Sequence, residues 1–79
     1  MKRKVYRVVC FCDPAPIAIE CYAWKTALQA IPAIIREHLS GEWREAIVSW
    51  ARDGKHHVGG ASQWVNADGK TINFSIYVS

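Results

Sequence analysis

The chain begins with an alternation of apolar and polar residues, the pattern of half-buried β-strands. Residues 5–12 and 17–23 predict two strands, and the prolines between them predict a turn because proline fixes φ and cannot donate to a ladder. We expect Cys12 to pair with Ile17 across a four-residue hairpin loop. This register places one apolar face toward the core, formed by Tyr6, Val8, Cys10, Cys12, Ile17, Ile19, Cys21 and Ala23.

The apolar spacing then changes to the period of a helix. Leu28, Ile31, Ile35 and Leu39 form one stripe, which predicts an amphipathic helix over residues 24–39. The Ser-Gly pair at residues 40–41 predicts its end. Pro32 lies inside this segment and removes one backbone hydrogen bond, so we expect a kink or a regular helix that begins near Ile31.

Three more strands follow the helix, over residues 43–52, 56–65 and 71–78, and glycine-containing turns join them at residues 53–54 and 66–69. The last strand alternates most regularly. Carrying its register back through the turns predicts a core face that includes Trp43, Ile47, Val58 and Trp64. The order ββαβββ in one domain, residues 1–79, predicts an α+β fold: a twisted antiparallel β-sheet with one α-helix packed on one face.

Length and charge narrow the classes of function. A domain of 79 residues has a core but little room for a walled active-site pocket. Its net charge of +3 equals the contribution of Lys2, Arg3 and Lys4, so the rest of the chain is nearly neutral. This balance argues against a mimic of duplex DNA, which needs a dense acidic surface. It permits contact with nucleic acid without requiring it.

The three cysteines and the apolar segments bear on localisation. We expect no signal peptide, because Arg7 interrupts the first apolar run, and no transmembrane helix, because the longest uninterrupted apolar stretch, residues 30–35, is far too short to span a bilayer. We therefore expect a cytoplasmic protein, in the host cell if it is phage-encoded, with reduced thiols and no membrane association. Cys10 and Cys12 lie two residues apart on one strand, which does not suit a disulfide.

No pattern in the chain indicates catalysis or a cofactor. The cysteines and histidines lack the paired spacing of a zinc site, and all three cysteines are expected to face the helix. The carboxylates are scattered singly. The two glycines at residues 59–60 lack the Lys and Ser/Thr of a phosphate loop and indicate instead a bulge or a close backbone approach. We expect no enzyme activity, no metal and no cofactor.

The sheet face away from the helix is the candidate binding surface. The predicted register places aromatic and arginine side chains there, and these residue types dominate protein–protein hot spots and also stack on nucleic-acid bases. The structural alternative is that the rest of the chain, or a second copy of it, covers this face. The expected partner-binding residues are Arg44, Trp50, Arg52, His57, Tyr77, Tyr22 and Trp24, with Arg7, Val48 and Gln63 on the same face.

The order of two strands, a helix and a meander, with Ile19 and Glu20 ending a strand and Ala27 on the following helix, resembles small phage-encoded anti-CRISPR proteins of the type I systems. The resemblance implies a non-enzymatic inhibitor that docks on a crRNA-guided surveillance complex or its nuclease partner. We therefore expect an interaction protein that occludes a larger protein or ribonucleoprotein. One alternative is a nucleic-acid-binding module that uses the open sheet face, and another is a structural subunit that forms a homodimer through that face.

Overall fold

A computed structural model describes residues 4–79, so Lys2 and Arg3 of the basic N-terminus lie outside the described residues. The described part forms one five-stranded antiparallel sheet and one helix, which confirms the α+β fold and the order ββαβββ. The elements are β1 (Tyr6–Phe11), β2 (Ile17–Cys21), α1 (Trp24–His38), β3 (Trp43–Asp53), β4 (His56–Asn66) and β5 (Thr71–Val78).

The strands lie in the order β2-β1-β5-β4-β3, so the last strand pairs with the first. Beyond the strand ends, Val5 N–H donates to the Ser79 carbonyl at 3.1 Å and Ser79 N–H donates to the Val5 carbonyl at 3.0 Å. This pairing joins the N-terminal hairpin to the C-terminal meander. It leaves β2 and β3 as the two edges of the sheet.

The N-terminal hairpin has a longer loop than the sequence predicts. Ile17 pairs with Cys10, not with Cys12, and Cys21 therefore lies opposite Tyr6. Pro16 has no N–H to extend the ladder, and Cys12 Sγ instead donates to the Ala15 carbonyl at 3.5 Å within the loop. Because the shift is two residues, the same side chains keep the same face.

The core lies between α1 and the centre of the sheet. Val8, Cys10 and Phe74 are completely buried beneath Ala27, Ile31, Ile34 and Ile35 of the helix. Tyr6 and Cys21 are also buried, as the predicted face requires, whereas Ile19 on the edge strand is 36% exposed. The helix runs continuously through Pro32 from Trp24 to His38, because its packed apolar face compensates for the missing backbone hydrogen bond.

Two irregularities change the faces of the β3–β4 hairpin. Ala46 is an extra residue in β3, since Glu45 pairs with Trp64 and Ile47 pairs with Gln63. Val58 is an extra residue in β4, since Ala51 pairs with Gly59 and Arg52 pairs with His57. Each bulge reverses the alternation of side chains beyond it. The placement of Ile47 and Val58 in the core is therefore wrong, and they are 60% and 45% exposed.

Candidate binding surface

The helix covers only part of its side of the sheet. It packs against β1 and β2, so the same side of β3 and β4 lies beside the helix and not under it. Side chains on this uncovered part come from alternate residues of β3 and from their partners on β4. They are Trp43, Glu45, Val48, Trp50 and Arg52 of β3, and His57, Ser62 and Trp64 of β4.

Four of these side chains form a surface that we call the aromatic shelf: Trp43, Val48, Trp50 and Trp64. The three tryptophans are half-buried and pack partly against the core, and Val48 between them is 45% exposed. Trp43 Nε1 donates to the Ser40 carbonyl at 3.0 Å, and Trp64 Nε1 donates to Ser62 Oγ at 3.3 Å. Because these indole N–H groups already have acceptors, the exposed ring surface is available for apolar contact.

One end of the shelf is held by stacked aromatic rings. Trp24, the first residue of α1, lies parallel to the His57 ring with centroids 4.2 Å apart and makes an edge contact with Trp50 at 5.4 Å. Tyr6 also makes an edge contact with Trp24, with ring centroids 6.0 Å apart. These contacts tie the start of the helix to the β3–β4 hairpin. We call Trp24, Trp50 and His57 the corner stack.

Gly60 leaves room for the Trp50 ring at this corner. Its φ is +139°, and a Cβ at this position would clash with the Ser49 carbonyl oxygen and with Trp50 Cα and Cε3. Gly59 makes an equally close approach to the Ile76 carbonyl of β5. The prediction of a bulge or a close backbone approach at these glycines is confirmed.

The structure divides the predicted partner-binding residues between two faces. Trp24, Trp50, Arg52 and His57 lie on the helix side, so their predicted position on the open face is wrong. Val48 moves with them, for the same reason. The cause is the pair of bulges, which a regular alternation does not anticipate. Arg44 and Tyr77 lie on the open face as predicted, and Tyr22 is exposed between β2 and α1.

The open face is flatter and more polar than the aromatic shelf. Arg7 forms an exposed ion pair with Glu20, Nη2 to Oε1 at 3.2 Å, and Gln63 Nε2 donates to Asn73 Oδ1 at 3.3 Å. Its exposed apolar side chains, such as Ile47 and Tyr77, are separated by small residues of the central strands. No tryptophan of the described strands points to this face.

Two of the three cysteines are buried thiols with raised pKa values. All three cysteines are free, Cys10 and Cys21 are buried, and Cys12 is half-buried. Burial, together with a hydrogen bond and charge interaction with Cys12, raises the pKa of the Cys10 thiol to about 12, and burial also raises the pKa of Cys21. Among residues 4–79, no three His, Cys, Asp or Glu side chains converge as metal ligands would.

Comparison with protein-family models, with curated proteins and with solved structures finds no match for this chain. In the part of the chain that the structure describes, no helix is long and apolar enough to cross a membrane. The assignment of function therefore depends on the geometry of the described residues.

A sequence signal for the aromatic shelf does exist. Trp43 and Trp50 are seven residues apart, an odd spacing that places them on opposite faces of a regular strand. They share a face only if the strand contains a bulge, and Ala46 supplies it. An odd spacing between large aromatic residues in one strand is therefore a reason to test a bulged register.

Proposed function

We propose that this protein is a binding module that recognises another protein through the aromatic shelf and the corner stack. One observation carries the proposal: three half-exposed tryptophans and an exposed valine lie together on the part of the sheet that α1 leaves uncovered. Tryptophan and arginine are the residues most enriched at interface hot spots, and Arg52 lies at the end of the shelf.

The distribution of charge favours a protein partner over nucleic acid. Residues 4–79 carry eight basic and seven acidic side chains, so the described part is nearly neutral. Arg44 and Arg52 lie on opposite faces, and Arg7 is already paired with Glu20. Nucleic-acid binding requires several basic groups that follow one phosphate backbone, and these arginines do not form such a track.

More specifically, we propose that the protein acts without catalysis, by occluding a surface of a larger protein or ribonucleoprotein. The resemblance to small phage-encoded inhibitors supports this mode of action. A cytoplasmic location belongs to the same proposal, and the three free cysteines are consistent with a reducing compartment.

Two adjacent residues of β3 give a matched test of the face that binds. Val48 and Ile47 are both exposed, but Val48 lies on the aromatic shelf and Ile47 on the open face. Tagged wild type, Val48→Asp and Ile47→Asp are used to capture proteins from extract of the producing cells, and each captured protein is then purified for affinity measurement. We expect Val48→Asp to weaken the purified complex at least about tenfold, the effect of removing one hot-spot contact.

The Ile47→Asp control introduces the same charge into the same edge strand, so it should retain binding within about threefold, as expected for a residue outside the contact. Circular dichroism of both variants verifies that they are folded. A complex lost only with Ile47→Asp would place the interface on the open face and refute the proposal, as would a complex that neither substitution weakens.

A further inference from the structure

The outer edge of β3 is long and unpaired within the described residues. The strand has eleven residues, pairs only with β4, and is exposed from Arg44 to Ser49. The Ser49 carbonyl oxygen points toward Gly60 of β4. Because backbone groups alternate in direction along a strand, Val48 and Trp50 direct their N–H and C=O groups outward. Such an edge is a template for a further strand.

The charged residues at the two ends of β3 indicate which strand can pair with its outer edge. The basic-acidic pair Arg44-Glu45 precedes the apolar centre of the strand, and the basic-acidic pair Arg52-Asp53 follows it. We propose that β3 pairs antiparallel with β3 of a second copy of this chain, about a two-fold axis at Ser49. In this register Glu45 lies opposite the partner's Arg52, and Arg44 lies opposite the partner's Asp53. The two-fold axis generates each pair twice.

Opposite residues of the two β3 strands point to the same face of the joined sheet only because of the bulge at Ala46. Counted outward from Ser49, Val48 lies opposite the partner's Trp50 on the helix side, and Ile47 lies opposite the partner's Ala51 on the open face. Beyond the bulge, Glu45 and Arg52 are both helix-side residues, as their partners Trp64 and His57 show. Opposite residues in an antiparallel pair must share a face, and the bulged strand meets this condition in both halves.

The four charged side chains are available for these contacts. Within residues 4–79, none of Arg44, Glu45, Arg52 and Asp53 forms an ion pair, and Arg52 makes one long hydrogen bond, from Nη2 to the Lys55 carbonyl at 3.5 Å. Exposed ion pairs contribute little energy, so their role here is to select the register. The backbone ladder and the contact between Val48 and the partner's Trp50 supply the attraction.

The opposite edge of the sheet does not offer the same opportunity. Strand β2 has only five residues, follows Pro16 and lies under α1. Short edges and flanking prolines limit further pairing. The proposed dimer is separate from the proposed function in its backbone ladder and its charge pairs, and it shares with that function only the shelf residues Val48 and Trp50. It would join two aromatic shelves into one continuous surface.

Cysteine cross-linking tests both the dimer and its register. In the proposed pairing, Ser49 faces Ser49 of the partner subunit, at a distance that a disulfide can bridge. Ala51 points to the same face, but its two copies are four residues apart in register, about 13 Å, beyond disulfide reach. With the native cysteines retained in both variants, Ser49→Cys should give a disulfide-linked dimer on mild oxidation and Ala51→Cys should not. Equal cross-linking of the two variants, or none with Ser49→Cys, would overturn the proposal.

Charge reversal provides a second, independent test by sedimentation equilibrium. Glu45→Arg should weaken dimerisation about tenfold, because it replaces two attractive pairs with two repulsive ones. Combining it with Arg52→Glu should restore the wild-type dissociation constant to within about threefold. Glu42→Arg makes the same charge change outside the strand and serves as the control. A wild-type chain that remains monomeric at millimolar concentration, or a dimer that responds equally to Glu42→Arg, would refute the pairing.

Discussion

At the scale of single residues, burial determines which side chains are inaccessible and which are available for contact with a partner. Cys10 lies completely buried between the sheet and the helix, where a thiolate has no solvation, and this raises the pKa of the thiol to about 12. Trp50 has an intermediate position: one side of its ring packs against the core, and the other is exposed on the aromatic shelf. Replacing Trp50 therefore affects the stability of the fold as well as any interface.

The raised pKa of Cys10 predicts a pH-dependent contribution to stability. The unfolded thiol ionises near pH 9 and the folded thiol near pH 12, so the unfolded state releases its proton first as the pH rises. The stabilisation from neutral Cys10 is complete below about pH 9 and is lost progressively up to about pH 12. Cys10→Ala should cost about 1 to 2 kcal/mol at pH 7, and this cost should shrink between pH 9 and pH 11.

Urea denaturation of wild type and variant at each pH measures this difference. Ser62→Ala is the matched control, because Ser62 is also buried on the helix side of the sheet but does not ionise in this range. Its cost should stay constant with pH. A constant cost for Cys10→Ala across the same range would show that the folded and unfolded thiols ionise alike.

At the scale of the elements, the β3–β4 hairpin owes its shape to bulges and glycines. The bulges bring Trp43 and Trp50 to one face, and Gly60 lets the backbone of β4 approach β3 beneath the Trp50 ring. The helix contributes Trp24, which stacks on His57. The aromatic shelf and the corner stack together are thus assembled from three elements, and none of them presents this surface alone.

Replacing Gly60 tests this account of the hairpin. Gly60→Ala should destabilise the protein by about 2 kcal/mol or more, because an added Cβ is strained at this φ and clashes with the backbone of β3. Gly41→Ala is the control: Gly41 also has a positive φ, +81°, but nothing lies within 4 Å of an added Cβ. Thermal and urea unfolding should show a smaller loss of stability for Gly41→Ala, about 1 kcal/mol. Equal losses would mean that the close approach to Trp50 does not constrain β4.

At the scale of the whole molecule, the nearly neutral charge and its division between two faces limit the possible partners. The ion pair of Arg7 with Glu20 and the separation of Arg44 from Arg52 leave no continuous basic track on the sheet. This charge distribution supports the proposed protein partner more than a phosphate-binding role.

This charge distribution predicts weak, salt-sensitive binding to nucleic acid. In fluorescence anisotropy, a labelled single-stranded oligonucleotide should bind detectably only at low salt and be released as the ionic strength approaches about 0.15 M. Arg44→Ala and Arg52→Ala should each change this affinity by less than about threefold, because the two arginines cannot contact one strand together. Tight binding at physiological salt that requires both arginines would favour the nucleic-acid alternative.

The amino-acid sequence by itself determined the elements and the faces of three strands. Regular alternation in β1, β2 and β5 assigns the side chains to the correct faces, even though the first hairpin pairs two residues out of the predicted register and Ile19 of the edge strand β2 is exposed. The sequence also predicted the turn over residues 66–69. In the structure, Asn66 Oδ1 accepts hydrogen bonds from the N–H groups of Asp68 and Lys70, and Gly69 has a φ of +80°.

Only the tertiary structure decided the faces of β3 and β4, and with them the candidate site. A bulge adds one residue without any change in local composition, so regular alternation does not reveal the extra residue at Ala46 or Val58, and only the odd spacing of Trp43 and Trp50 indicates the first of them. The register there is decided by which side chains can pack. By facing the helix side, Trp50 contacts Trp24 and lies over Gly60, which has no Cβ to obstruct the ring. Ile47 faces the open side and remains 60% exposed. Such long-range packing outweighs strict alternation along the strand.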